Sequence, residues 1–83
     1  MQCNELVVMY EEFSETFVGF CFAEFGKQFI IVNSTLSSHD QELYKLALKY
    51  FLDNGLAPKK ISLPLSTPEE LQAIEYAKTL LAS

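Results

Sequence analysis

The sequence predicts an α+β fold: one small domain over residues 1–83, with a β-hairpin, and room for a third edge strand, packed on a central helix and a C-terminal helix. Three observations carry that expectation. Ser38 to Asn54 is apolar around most of a helical circumference, through Leu43, Tyr44, Leu46, Ala47, Leu48, Tyr50, Phe51 and Leu52. Its polar stripe is narrow and runs through Glu42, Lys45, Lys49 and Asp53. A surface helix shows the reverse balance, so this helix belongs in the middle of the fold. Thr16 to Asn33 is dense in Phe, Val and Ile around a central Gly, which reads as a hairpin. Thr67-Pro68-Glu69-Glu70 is a helix start, with Thr as cap, Pro in the first turn and Glu closing a capping box.

Taken in order, the elements justify themselves unequally. In Asn4 to Phe13, Leu6, Met9, Tyr10 and Phe13 follow helical spacing and Asn4 can cap, while Val7 and Val8 favour a strand. The spacing predicts a short helix. In the hairpin, Val18, Phe20 and Phe22 share one face and Phe17, Cys21 and Phe25 the other. Both faces are apolar, so the sheet needs cover on two sides or a partner on one. Gly19 inside the first strand marks a bulge or a close backbone approach. Ser38 and Gln41 form an S-x-x-Q capping box at the start of the central helix. Gly55, Leu56 and Pro58 supply its C-terminal signals. Ile61, Leu63 and Leu65 alternate with Ser62, Pro64 and Ser66, but Pro64 limits this stretch to an edge strand or an extended loop. The last helix, to about Ala82, should bury Ala73, Ile74, Ala77, Leu80 and Leu81.

Composition narrows the function classes. A net charge of −5, with six Lys and no Arg, argues against nucleic acid and against an anionic membrane surface. No stretch approaches the ~20 apolar residues of a spanning helix. The N-terminus lacks the basic start of a signal peptide, so the expected location is cytoplasmic. Cys21 lies in an apolar run and reads as a buried thiol in preference to a bridge with Cys3.

Catalysis finds little to work with. The single His39 sits at a helix start and is not placed against a nucleophile. Cys3, Cys21 and His39 have no metal-ligand spacing. No glycine loop for phosphate is present. The expected assignment is therefore no catalytic residue, no metal and no cofactor. The Phe residues of the hairpin, Phe17, Phe20, Phe22 and Phe25, are the candidate partner-binding positions.

The order of elements carries a resemblance. F-I-I-V-N-S-T-L leads into the central helix, and the last helix reads E-L-Q-A-I-E-Y-A-K-T-L-L. Over Gly19 to Leu81 this resembles the ImmA/IrrE family of zinc metallopeptidases, found beside repressors of bacterial mobile elements. Ile31, Asn33, Leu36, Leu46, Ala47, Glu70, Ala73, Tyr76, Ala77, Leu80 and Leu81 fall on the family pattern. The resemblance implies an H-E-x-x-H motif after Leu46-Ala47, two His for zinc and a Glu as general base. Those positions hold Leu48, Lys49, Tyr50, Phe51 and Leu52. A relative with this sequence would be a pseudo-metallopeptidase. The expectation is a non-enzymatic protein-binding module of a bacterium or its phage, acting on a regulator or host protein. The alternative is a homo-oligomeric subunit that assembles through the apolar hairpin.

Overall fold

The computed structural model describes residues 5–83; Cys3, and Asn4 as a cap, lie outside the described residues. The elements are β1 (Glu5–Glu11), β2 (Phe17–Glu24), β3 (Lys27–Asn33), α1 (Ser38–Asp53), β4 (Lys59–Ser62) and α2 (Pro68–Ala82). The four strands form one mixed sheet in the order β1-β3-β2-β4. β1 runs parallel to β3, and the other two pairings are antiparallel. The α+β architecture expected from the sequence is the one observed.

The helix expected over Asn4 to Phe13 is instead strand β1. Its Leu6/Met9/Tyr10 spacing is matched equally well by an edge strand with apolar residues on both faces. The free edge of β3 gives such a strand a hydrogen-bonded partner over seven residue pairs. Tertiary pairing thus overrides a weak local periodicity, with Val7 and Val8 favouring the outcome.

The hairpin forms as expected. Phe25 (φ +52°) and Gly26 (φ +74°) are the two turn residues between β2 and β3, a pair of left-handed conformations that suits a tight hairpin. The face assignment along β2 needs correction at Phe17 and Val18. One residue step on β4 spans two on β2, between Phe17 and Gly19, so the strand bulges there. Val18 consequently leaves the row of Phe20 and Phe22, and Phe17, paired with Ser62, leaves the side of Cys21: Val18 is fully buried in the core, whereas Phe17, Phe20 and Phe22 are half-buried.

Gly19 flanks the bulge and is also a point of close backbone approach. A Cβ there would lie 2.6 Å from Leu48 Cδ1 and 2.7 Å from the Ile31 carbonyl oxygen. The contact also fixes which side of the sheet is covered. By alternation and register, Gly19, Cys21, Ile30, Val32 and Ile61 share the side facing α1. Lys49 of α1 reaches the same side and donates to Gln28 Oε1 at 3.2 Å.

α1 occupies the centre, between the sheet and α2. Leu43, Ala47, Leu48, Phe51 and Leu52 are buried, and Tyr44, Leu46 and Tyr50 are packed against that core. The polar stripe is tied along the surface by the Lys45–Glu42 and Lys49–Asp53 ion pairs. Its N-cap is Ser37, one residue earlier than expected, accepting from the Asp40 N–H at 3.1 Å. Gln41 does not close a capping box; its amide donates to the Ser34 and Leu36 carbonyls and ties down the preceding loop. At the other end the Leu56 N–H bonds Phe51 O and the Gly55 N–H bonds Leu52 O, with Gly55 at φ +70°. That is the expected Schellman ending.

β4 starts two residues before the alternating run and ends before Pro64. α2 carries the capping box between Thr67 and Glu70 as expected. It buries Glu70, Ala73, Ile74 and Ala77, but its final turn carries Leu80 and Leu81 beyond the core into solvent.

Candidate functional site

The side of the sheet away from α1 is apolar and has no element over it among the described residues. Register and alternation place Val7 and Met9 of β1, Phe29 and Ile31 of β3, and Phe20 and Phe22 of β2 on that side. None of the six is fully buried, although each belongs to a residue type that normally fills a core. The rings form a continuous run: Phe20 to Phe22 at 5.4 Å between centroids, and Phe22 stacked on Phe29 at 4.7 Å. Polar side chains border it. Glu5 and Lys27 lie 3.7 Å apart at one end, with Glu24 beside them on β2, while Glu11 and Lys60 stand at other margins.

Four hairpin aromatics were expected to bind a partner, and the structure brings two of them together. Phe20 and Phe22 lie on the uncovered face. Phe25 stands at the hairpin tip, 92% exposed. Phe17, paired with Ser62, points to the same side as Phe20 and Phe22 but stands apart from their rings; it packs on Phe13 at the opposite end of the sheet, 4.4 Å between centroids. Val7, Met9, Phe29 and Ile31 were missed as members of this surface. The signal for Phe29 and Ile31 was their alternation with Ile30 and Val32, whereas Val7 and Met9 were hidden by reading β1 as a helix.

The expected absence of a nucleophile–base pair can be compared with where the titratable groups sit. His39 Nδ1 lies 3.5 Å from Asp40 at the exposed start of α1. Cys21 is a fully buried free thiol, and burial pushes its pKa up to about 11 despite the Lys59 backbone and charge nearby. A thiol so protonated is a poor nucleophile. Tyr44 is also raised, by burial and by Asp40.

Glu70 is the one buried carboxylate among the described residues. Burial pushes its pKa up, but the Ser66 and Thr67 N–H groups and Lys59 outweigh burial and leave it below its ordinary value. Its Oε1 accepts from Ser66 N at 2.9 Å and Thr67 N at 3.2 Å, while Oε2 lies 3.6 Å from Lys59 Nζ. Lys59 also stands over the Phe51 ring, 5.5 Å from its centroid. The carboxylate's oxygens are thus engaged in holding the start of α2. A small cleft of about 130 Å³ beside them is lined by Phe51, Leu56, Lys59 and Glu69.

At the positions where the resemblance implies zinc ligands, Leu48 is fully buried against Gly19 and Leu52 is buried in the core. Neither side chain has a lone pair to offer, and Lys49 between them is paired with Asp53. Zinc does not fit this set. Among the described residues, no three His, Cys, Asp or Glu side chains are grouped to hold a metal ion. No helix among the described residues is long and apolar enough to cross a membrane. No family model, curated protein or solved structure matches this chain.

Proposed function

We propose that this chain is a non-enzymatic protein-binding module whose contact surface is the uncovered face of its sheet, Val7, Met9, Phe20, Phe22, Phe29 and Ile31. The observation that carries the reading is that face itself: six large apolar side chains in one contiguous surface, with no layer of the fold above them among the described residues. A sheet with two apolar faces buries both when a second layer is supplied. A different protein suits this surface better than a second copy. Three strands about 4.8 Å apart and about five residues long at 3.4 Å each give a face of roughly 250 Å². A stable interface buries about 800 Å² per partner, so this face alone would hold neither a second copy nor another protein tightly, and a different protein can bring contacts beyond it. The net charge of −5 repeats on every copy and opposes self-association.

The reading extends to descent and setting. A pseudo-metallopeptidase that has lost its zinc site, in the cytoplasm of a bacterium or its phage, is supported by the resemblance and by Leu48 and Leu52 packing where ligands would stand. Its partner would then be a regulator or host protein.

The test is affinity capture from a bacterial host, comparing the native chain with Phe22→Asp, alongside light scattering. Phe22 is half-buried on the open face, so the variant should fold. A protein retained by the native chain and lost from Phe22→Asp supports the reading. Equal retention on both, or a stable homodimer at micromolar concentration that Phe22→Asp dissolves, overturns it in favour of a self-assembling subunit.

A further inference from the structure

The outer edge of β1 has a feature that the open face does not explain. β1 pairs only with β3, so along its other side a row of backbone groups has no strand partner among the described residues. Which groups these are can be read from one bond. Ser34 N donates to Glu11 O at 2.8 Å, so the backbone of Glu11 points toward β3. In an extended strand a residue's N–H and C=O point the same way, and the direction alternates. Val7 and Met9 therefore also point toward β3, while Leu6, Val8 and Tyr10 present their N–H and C=O groups outward.

Edges of this length are normally protected by Pro, Lys or a bulge, and this one has none of them. Its side chains are apolar on both faces, Leu6, Val8 and Tyr10 on one and Val7 and Met9 on the other. At its two ends stand Glu5 and Glu11, followed by Glu12 and Glu15.

Those glutamates discriminate between occupants. In a twofold antiparallel pairing of β1 with a second copy, the register that engages all seven residues is centred on Val8. It sets Glu5 directly opposite Glu11 of the other copy, twice. Both are non-hydrogen-bonded pairs, the closer kind, with Cα atoms about 4.5 Å apart, where like charges destabilise. A strand from a different protein meets no such conflict if it carries Lys or Arg at those two points.

We infer that β1 is a strand-addition site for an extended, apolar segment flanked by basic residues, supplied by another protein. The inference rests on the protein-binding reading and names the chemistry of the partner. The added strand bonds the backbone of Leu6, Val8 and Tyr10 and places its basic residues against Glu5 and Glu11. Its alternate side chains lengthen the open face beside Val7 and Met9, which supplies the contact area that the face lacks by itself.

The probe is a synthetic peptide, acetyl-Lys-Thr-Val-Thr-Val-Thr-Lys-amide, whose two Val fall beside Val7 and Met9 when its Lys face Glu5 and Glu11, titrated into the full chain and followed by residue-resolved amide exchange. The expected result is slowed exchange at Leu6, Val8 and Tyr10, at least tenfold, with Val7 and Met9 little changed because they are already bonded to β3. A peptide with Glu in place of both Lys should bind about tenfold more weakly, and Glu5→Lys/Glu11→Lys should reverse that preference. Val8→Pro, which removes an outward N–H while sparing the ladder to β3, should abolish binding. Tyr10→Pro is the second such variant should Val8→Pro unfold. Protection confined to other residues, no protection at all, or equal binding by both peptides overturns strand addition. That failure leaves the open-face reading to its own Phe22→Asp comparison, which does not depend on the β1 backbone.

Discussion

Asn33 shows how much one side chain can organise. It is fully buried at the end of β3. Its Oδ1 accepts from Phe13 N, Thr35 N and Thr35 Oγ1, and its Nδ2 donates to the Ser14 and Phe17 carbonyls at 2.8 and 2.7 Å. One amide thereby ties the loop after β1, at Phe13 and Ser14, to the start of β2 and to the loop that follows β3. Gly19 is constrained from the opposite direction, by what it must lack. Gly19→Ala should lower stability by about 2 kcal/mol, since Leu48 can swing aside but the Ile31 carbonyl cannot. A urea midpoint equal to that of the native chain would refute this. Phe25 is the converse case, a bulky residue in a left-handed conformation with almost its whole surface in water. Phe25→Asn should raise stability by about 1 kcal/mol, because Asn-Gly is the preferred pair for such a turn. If Phe25 also touches the partner, the same variant binds more weakly while melting higher, and both are read from one preparation.

Among the elements, α2 depends most on a single residue. Glu70 closes the capping box and is the only buried anion among the described residues, paired with Lys59. Glu70→Gln should cost about 1–2 kcal/mol at pH 7. The pH dependence follows from its lowered pKa. The charge stabilises the fold above the ordinary carboxylate value of about 4.3, and that contribution is lost as pH falls through the lowered folded value. Denaturation of both proteins at pH 7 and under strong acid should therefore show a gap that closes in acid. A gap that persists unchanged would place the effect in packing and not in the charge. α1, by contrast, is held by apolar contact on several sides, and its terminal signals add to a helix already secured by burial.

At the scale of the whole molecule, the radius of gyration of 12.2 Å is that of a compact domain of this length, about 12 Å. Cys21 lies inside it with no exposure, so it can report on the entire fold. Its alkylation should proceed only in step with loss of the circular dichroism signal in urea, with peptide-resolved mass spectrometry separating it from Cys3. Labelling well before unfolding would mean that the sheet opens locally. Its raised pKa adds a dependence on alkali. The stabilisation is complete below the unfolded thiol value near 8.5, and is lost as pH rises toward about 11. Cys21→Ala should flatten the stability profile across that window.

The sequence by itself determined the elements whose signals are local: the β2–β3 hairpin around Phe25-Gly26, the ends of α2 and the Schellman close of α1. Caps and turns depend on residues within a few positions of one another, so the information is contiguous. It also determined that α1 is central, because a helix apolar nearly all round has no stable place on a surface. The tertiary structure alone decided the rest. β1 became a strand because β3 had an edge to fill, a fact held twenty residues away. Val18 left the face of Phe20 and Phe22 because a bulge against β4 changed the phase of the pleat. The candidate surface was only half legible for the same reason. Alternation said that both faces of the hairpin were apolar, but which face α1 would cover was settled by Gly19 admitting Leu48, and the other has no covering element among the described residues.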